Sequence, residues 1–288
     1  MNIELWPGPM EGLCQPRFVA AVNNLFLVER WMTPFFRVTD HVPRRRALEE
    51  FLAPFLSGGV PVTLQLLGSN PETLAHTAEL SGKLNIAGIN LNFGCPSRRV
   101  TGHAAGGGTL RDPGLLMKIV TRVKTALPDR ELSIKMRTGY ADPHEMETLL
   151  PAVAASGAVT RIFLHWRTVT EAYRDIDGER EKRFCRAVRL VGDIPLILNG
   201  DINTPGDATA LLTATGAAGV MSARGWLRDP WLFVRINGGA APTPEAAGEQ
   251  FFSELRRTAP PRGVLLESAR MIWGSASPQF RSLLAELN

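Results

Sequence analysis

Up to about residue 237, short apolar runs alternate with longer stretches in which apolar positions recur every three or four residues. The runs at 3–8, 32–37, 61–67, 86–92, 131–136, 161–165, 194–198 and 218–222 predict strands, and the stretches 71–82, 112–126, 144–156, 180–191 and 204–214 predict helices. Four helices carry a start signal, Asn70-Pro71, Asp112-Pro113, Asp142-Pro143 and Thr204-Pro205, in which a capping side chain precedes a first-turn proline. Gly157 and Gly216 stand where two of them should stop. Strands that alternate with helices lie parallel, and eight of them make the α/β fold expected here, a (β/α)8 TIM barrel. A doubly wound sheet is the competing arrangement, but no G-x-G-x-x-G follows the first strand.

The pattern changes at "NGGAAPTPEAAG", 237–248, a linker rich in Gly, Pro and Ala. Beyond it, helices are expected at 245–258, 262–273 and 278–287, a short C-terminal helical appendage. Two regions follow: 1–237 as the barrel and 245–288 as a small helical unit.

Composition narrows the class. The chain has 288 residues, of which 44% are hydrophobic and 21% charged, enough for a large core. No apolar run reaches the roughly 20 residues of a membrane helix, and "MNIELWPGPMEG" lacks the basic and apolar regions of a signal peptide. No membrane partner is expected, and a monomer in the cytoplasm is. Three cysteines without C-x-x-C spacing argue against a disulfide framework or a metal site. The net charge of +4 is compatible with nucleic acid without demanding it. More informative is the clustering of arginines in "HVPRRRAL", "CPSRRV" and "ELRRTAPPRG", which phosphate backbones attract as readily as solvent does.

In a barrel, chemistry gathers where the strands end. Those ends read Pro9-Met10-Glu11, Phe36-Arg37, Gln65, Asn92 with Cys95, Lys135 with Arg137, His165 with Arg167, Asn199-Gly200-Asp201 and Ala223-Arg224-Gly225. A single buried Gln or His is most often a satisfied core residue. Lys135, inside "LSIKMR", is costly unless something anionic meets it. The two last loops hold small residues plus Arg224, which fits a phosphate, and Gln65, Lys135 and His165 would line the ring of a flavin. Taken alone, Cys95 in its Asn-x-Gly-Cys-Pro turn could be a metal ligand, half of a disulfide, a nucleophile, an acid, or inert.

"PMEG", "QLLG", "LNFGCPSRRV", "AGGGTL", "IKMRTGY", "HWRT", "NGDI" and "ARGWL", in this order over roughly 5 to 235, resemble the motifs of the dihydrouridine synthase family, flavin enzymes that reduce uridine in transfer RNA. "PMEG" and "FFRVTD" are most similar to the bacterial branch acting on uridine 16. The resemblance implies FMN as cofactor and NADPH as reductant. It places flavin contacts on Pro9, Met10, Gln65, Lys135, His165, Asn199, Gly200, Asp201, Ala223 and Arg224, and the proton donor on Cys95. RNA contacts are expected at Arg37, Asn92, Arg98 and Arg174, and at Arg256 and Arg257 on the appendage. The chain departs from the family pattern in having Asn90 for Asp, Arg98 for Lys, Trp166 for Gly and Ala223 for Gly. Gly106 to Gly108 are expected to make room for a nucleotide beside Cys95. Two other readings compete: an FMN-dependent reductase of a small pyrimidine-like substrate, and an RNA-binding paralogue with little or no activity.

Overall fold

The computed structural model describes residues 3–287. Met1, Asn2 and Asn288, at the outer ends of the two expected regions, lie outside the described residues. Among the described residues nine strands form one sheet: β1 Glu4–Pro7, β2 Trp31–Met32, β3 Phe36–Arg37, β4 Val62–Leu67, β5 Gly88–Phe93, β6 Glu131–Arg137, β7 Arg161–His165, β8 Leu196–Asn199 and β9 Gly219–Ser222. Their order is β1-β9-β8-β7-β6-β5-β4-β2, with β3 also on β4, and every pairing is parallel. This is the nearly closed barrel expected, in which β2 and β3 together occupy one strand position.

That split corrects the continuous strand expected at 32–37. Pro34 has no N–H for the ladder, and the adjoining Thr33 lends its Oγ1 to the Gln65 N–H at 3.0 Å. The other strands are found within two residues of their expected ends.

The helices are α1 Pro16–Asn24, α2 Arg45–Leu56, α3 Pro71–Ser81, α4 Arg98–Thr101, α5 Pro113–Ala126, α6 Met146–Ala155, α7 Glu179–Val191, α8 Pro205–Thr215, α9 Arg224–Arg228 and α10 Leu232–Ile236, followed by α11 Pro244–Arg257, α12 Arg262–Trp273 and α13 Pro278–Glu286. Asn70, Asp112, Asp142 and Thr204 each accept a backbone N–H at a helix start, as their spacing predicts. The arginines of "HVPRRRAL" begin α2, where Arg45 and Arg46 pair with Glu49 and Glu50 one turn on. Among the described residues, no helix is long and apolar enough to cross a membrane.

Side-chain alternation along the strands separates two environments. Ile89, Leu91, Leu132, Ile134, Ile162 and Leu164 face the helices and join the main core. Trp6, Met32, Phe163, Ile197 and Met221 pack against one another in a separate cluster, with Trp6 edge-on to Phe163 at 4.9 Å. Polar side chains from the same strands line a cavity at the C-terminal mouth. The C-terminal helices pack on the barrel, α11 against α1 and α12 against α9.

Candidate active site

The cavity encloses about 630 Å³, within the range of small-molecule and cofactor sites. Pro9, Met10, Gln65, Asn92, Cys95, Lys135, His165, Asn199, Gly200, Asp201, Ala223 and Arg224 all line it.

The Cys95 turn is fixed by four hydrogen bonds from three residues. As the chain leaves β5, Asn92 Oδ1 accepts the N–H of Gly94 and of Cys95, each at 3.0 Å. Gly107 N–H donates to the Cys95 carbonyl at 3.0 Å. Arg137 Nε donates to the Gly94 carbonyl at 2.9 Å, and its Nη1 to the carbonyls of Thr168 at 2.9 Å and Ala172 at 3.0 Å. Arg137 thereby ties the turn to the loop after β7. Gly106 to Gly108 correct the nucleotide-room expectation, for they are buried beneath the turn itself. A Cβ on Gly107 would stand 2.6 Å from Val169 and 3.0 Å from the Cys95 carbonyl oxygen.

Burial pushes the Cys95 thiol above its ordinary value, while the Ser97 N–H and the cations Lys135 and Arg137 pull it down. The net rise keeps it a neutral thiol near pH 7, a proton donor rather than a ready nucleophile. Cys14 is buried and pushed up to about 12, so it is inert.

Burial first, and then the neighbouring Arg137, bring the Lys135 ammonium down to about 8. Among the described residues it has no hydrogen-bond or ion-pair partner. The same burial, with Arg137, Lys135, Arg167 and Arg224 nearby, holds His165 well below its ordinary value and therefore neutral. The Arg167 N–H donates to His165 Nδ1 at 3.2 Å, which leaves the imidazole proton on Nε2.

Lys135 gives a pH prediction for the protein without ligand. An unfolded lysine keeps its proton to about 10.5, whereas the folded one loses it near 8. The desolvated ammonium therefore costs stability below pH 8, and that cost fades between 8 and 10.5. Urea midpoints should rise from pH 7.5 to pH 10 relative to those of Lys135→Met, which lacks the group. Parallel pH profiles for the two proteins would show that Lys135 is not desolvated.

At the far end of the cavity, Asn199 Nδ2 donates to the Met221 carbonyl at 2.9 Å, tying β8 to β9. Gly200 has φ +113°, and a Cβ there would stand 2.7 Å from Trp166 Cδ1. The Asp201 carboxylate meets Arg224 Nη2 at 3.0 Å and Arg167 Nη1 at 2.5 Å. Arg224 is thus held at the cavity rim by Asp201. Ala223 is accommodated by Gly8, where a Cβ would stand 2.6 Å from the Ala223 methyl group. Trp166 points out of the barrel: it is 2% exposed, with the Arg167 guanidinium 4.0 Å from its ring and its Nε1 donating to Asp201 at 3.3 Å. It supports the Gly200-Asp201 turn from behind.

The arginines expected at RNA fall in two places. Arg37 lies near the Cys95 segment, its Nη2 donating to the Arg99 carbonyl at 3.1 Å, and Arg98 begins α4 three residues after Cys95. Arg174 is exposed after β7, donating to the carbonyls of Thr170 and Glu171. Arg256 and Arg257 lie on α11, outside the cavity lining, and pair with Glu286 and Glu254 at 2.6 Å each. Asn92, also expected at RNA, is 8% exposed and serves the turn.

Tyr173 is a lining residue that sequence reasoning missed, because a tyrosine in an irregular loop carries no periodic signal. It is 58% exposed, with its ring edge-on to His165 at 6.2 Å and the guanidinium groups of Arg137 and Arg224 at 5.4 and 5.1 Å.

The family model described as dihydrouridine synthase matches residues 8–255. A tRNA-dihydrouridine(16) synthase of Cupriavidus necator is 35% identical over 241 residues, covering 81% of this chain and 73% of that protein. Another from Ralstonia nicotianae is 33% identical over 246 residues, covering 83% and 74%. Among solved structures, a variant of NCR from Zymomonas mobilis superposes with a TM-score of 0.61 at 13% identity, covering 87% of this chain and 90% of that one, which is a likeness of fold.

Proposed function

Because this chain belongs to the dihydrouridine synthase family, we propose that it reduces the C5–C6 double bond of uridine 16 in transfer RNA, with FMN as cofactor and NADPH as reductant. The observation that carries this reading is one cavity into which a protonated thiol, an unpaired ammonium and a neutral imidazole all face.

The residues present fit the cofactor. Lys135 is a half-buried cation facing the cavity without a counter-ion, which the pyrimidine edge of a flavin would provide. Arg224, beside the small residues Gly200, Ala223 and Gly225, suits the phosphate. When bound, the flavin supplies the hydride that uracil C6 receives. Cys95 supplies the proton: its S–H bond breaks as the new C5–H bond forms, and the thiolate regains a proton from water. The thiolate is stabilised meanwhile by Lys135 and Arg137, both of which favour its charged form. The uridine has to leave its stack to arrive here, and the exposed Tyr173 ring at the mouth offers a surface for it.

Incubating the protein with FMN, NADPH and unmodified transfer RNA, then mapping dihydrouridine, tests the proposal. Dihydrouridine at position 16 is expected. Reduction of free uridine but not of transfer RNA would favour a small-substrate reductase, and RNA binding without product would favour a non-catalytic binder. Arg224→Ala should weaken FMN affinity by about five- to thirtyfold, the loss of a half-exposed charge-assisted contact worth about 1–2 kcal/mol. An absorbance titration giving wild-type affinity would remove Arg224 from the phosphate site.

A further inference from the structure

Behind the cavity, polar side chains form a chain of hydrogen bonds whose direction is forced. It starts at the N–H groups of Gly94 and Cys95, which can only donate, both to Asn92 Oδ1 at 3.0 Å. Asn92 must therefore turn its NH2 the other way, and Nδ2 donates to Gln65 Oε1 at 2.9 Å. Gln65 in turn points Nε2 at Asn90 Oδ1, 2.9 Å away, and at Met32 Sδ, 3.2 Å away. Asn90 Nδ2 donates to Ser133 Oγ at 2.9 Å, and that hydroxyl donates to the Ile89 carbonyl at 3.3 Å. Gln65 and Asn90 are 0% exposed. Buried amides keep such an order because a reversed one leaves two donors facing each other and costs more than one hydrogen bond gives.

We propose that Asn90, which does not itself line the cavity, is a positioning residue for the reaction: by accepting from Gln65 Nε2 it holds the Gln65 amide in the polarity that the turn imposes and, through Gln65 and Asn92, braces the turn that carries Cys95. With both its N–H groups committed to Asn90 and Met32, Gln65 offers the cavity only an oxygen. The site then accepts a hydrogen bond at that point, which suits a ring N–H such as that of the flavin pyrimidine. The inference rests on the functional reading above for what fills the cavity, and on the hydrogen-bond chain alone for the Cys95 turn.

Asn90→Leu keeps the volume and removes the acceptor, whereas Asn90→Asp keeps the acceptor and lets the Ser133 hydroxyl rotate to donate to it. Two readouts apply: FMN affinity by absorbance titration, and the rate at which iodoacetamide alkylates Cys95, followed by mass spectrometry. Asn90→Leu should weaken FMN affinity by about tenfold, the scale of one oriented hydrogen bond, and should speed alkylation by loosening the turn. Asn90→Asp should restore both. Should the leucine variant not fold, Asn90→Ala removes the same acceptor and carries the same expectations. Wild-type values in the leucine or alanine variant would overturn the proposal, as would an aspartate variant equally impaired, since packing alone would then explain the loss. Alkylation needs neither flavin nor RNA, so a wild-type protein that makes no dihydrouridine would sink the functional reading and leave this test standing.

Discussion

Replacing Cys95 with alanine should lower dihydrouridine formation by about 10²–10⁴-fold, the usual worth of a positioned acid, while FMN retention and reduction of the flavin by the proposed reductant, NADPH, should stay at wild-type levels. The separation follows from where the thiol sits. Its turn is held by backbone groups, Asn92 Oδ1, the Gly107 N–H and Arg137 Nε, so a smaller side chain leaves the turn in place. The proposed half-reaction with NADPH would need no proton from the thiol. Cys95→Ser should be nearly as poor, because a hydroxyl of far higher pKa gives up its proton reluctantly. Timing the two half-reactions separately is the decisive measurement: uridine reduction at the wild-type rate in Cys95→Ala would assign the acid elsewhere.

Much of this architecture could be read from residue order, for physical reasons that differ from element to element. Strands buried on both faces are short apolar runs, and four helices announced their starts through a capping side chain and a proline. Alpha2 announced nothing: Arg44 caps it without a side-chain hydrogen bond, and Pro54 sits inside it, so its arginines read as a free basic patch. The second strand looked continuous because the Thr33 hydroxyl, rather than the main chain, serves the Gln65 N–H, and side-chain substitutes leave no pattern. Strand ends located much of the polar cavity lining, since period-two alternation fixes which residues point inward. Loop residues escaped that logic. Tyr173 has no period, and the three glycines, read as room for a nucleotide, instead allow close approach to the Cys95 turn. Arg256 looked free because its partner, Glu286, lies 30 positions away.

The C-terminal helices are tied to the cavity rim, where the proposed flavin site lies, more directly than their charges imply, and Phe251→Ala should show it. Phe251 of α11 is 1% exposed and meets Phe18 of α1 edge-on at 5.5 Å. Phe18 lies 6.2 Å from Trp226, which also contacts Trp31 at 6.1 Å and stacks on Phe233 at 6.0 Å. Trp226 belongs to α9, the short helix that begins at Arg224, so one aromatic cluster joins the appendage to the turn at the cavity rim. Truncating a buried phenylalanine costs about 3–5 kcal/mol, which for a chain of this size lowers Tm by roughly 6–15 °C. Loosening under α9 should also weaken FMN affinity at temperatures where the variant is still folded. Arg256→Ala serves as the contrast, since its exposed pair with Glu286 is screened by solvent and touches none of these rings. Thermal melts with and without FMN, beside titrations at 15 °C, separate the possibilities. Lower stability with unchanged affinity would mean the appendage holds the barrel together without reaching the phosphate turn. Loss of both in Phe251→Ala, and of neither in Arg256→Ala, would make these helices part of the flavin site's support whatever they also do with RNA.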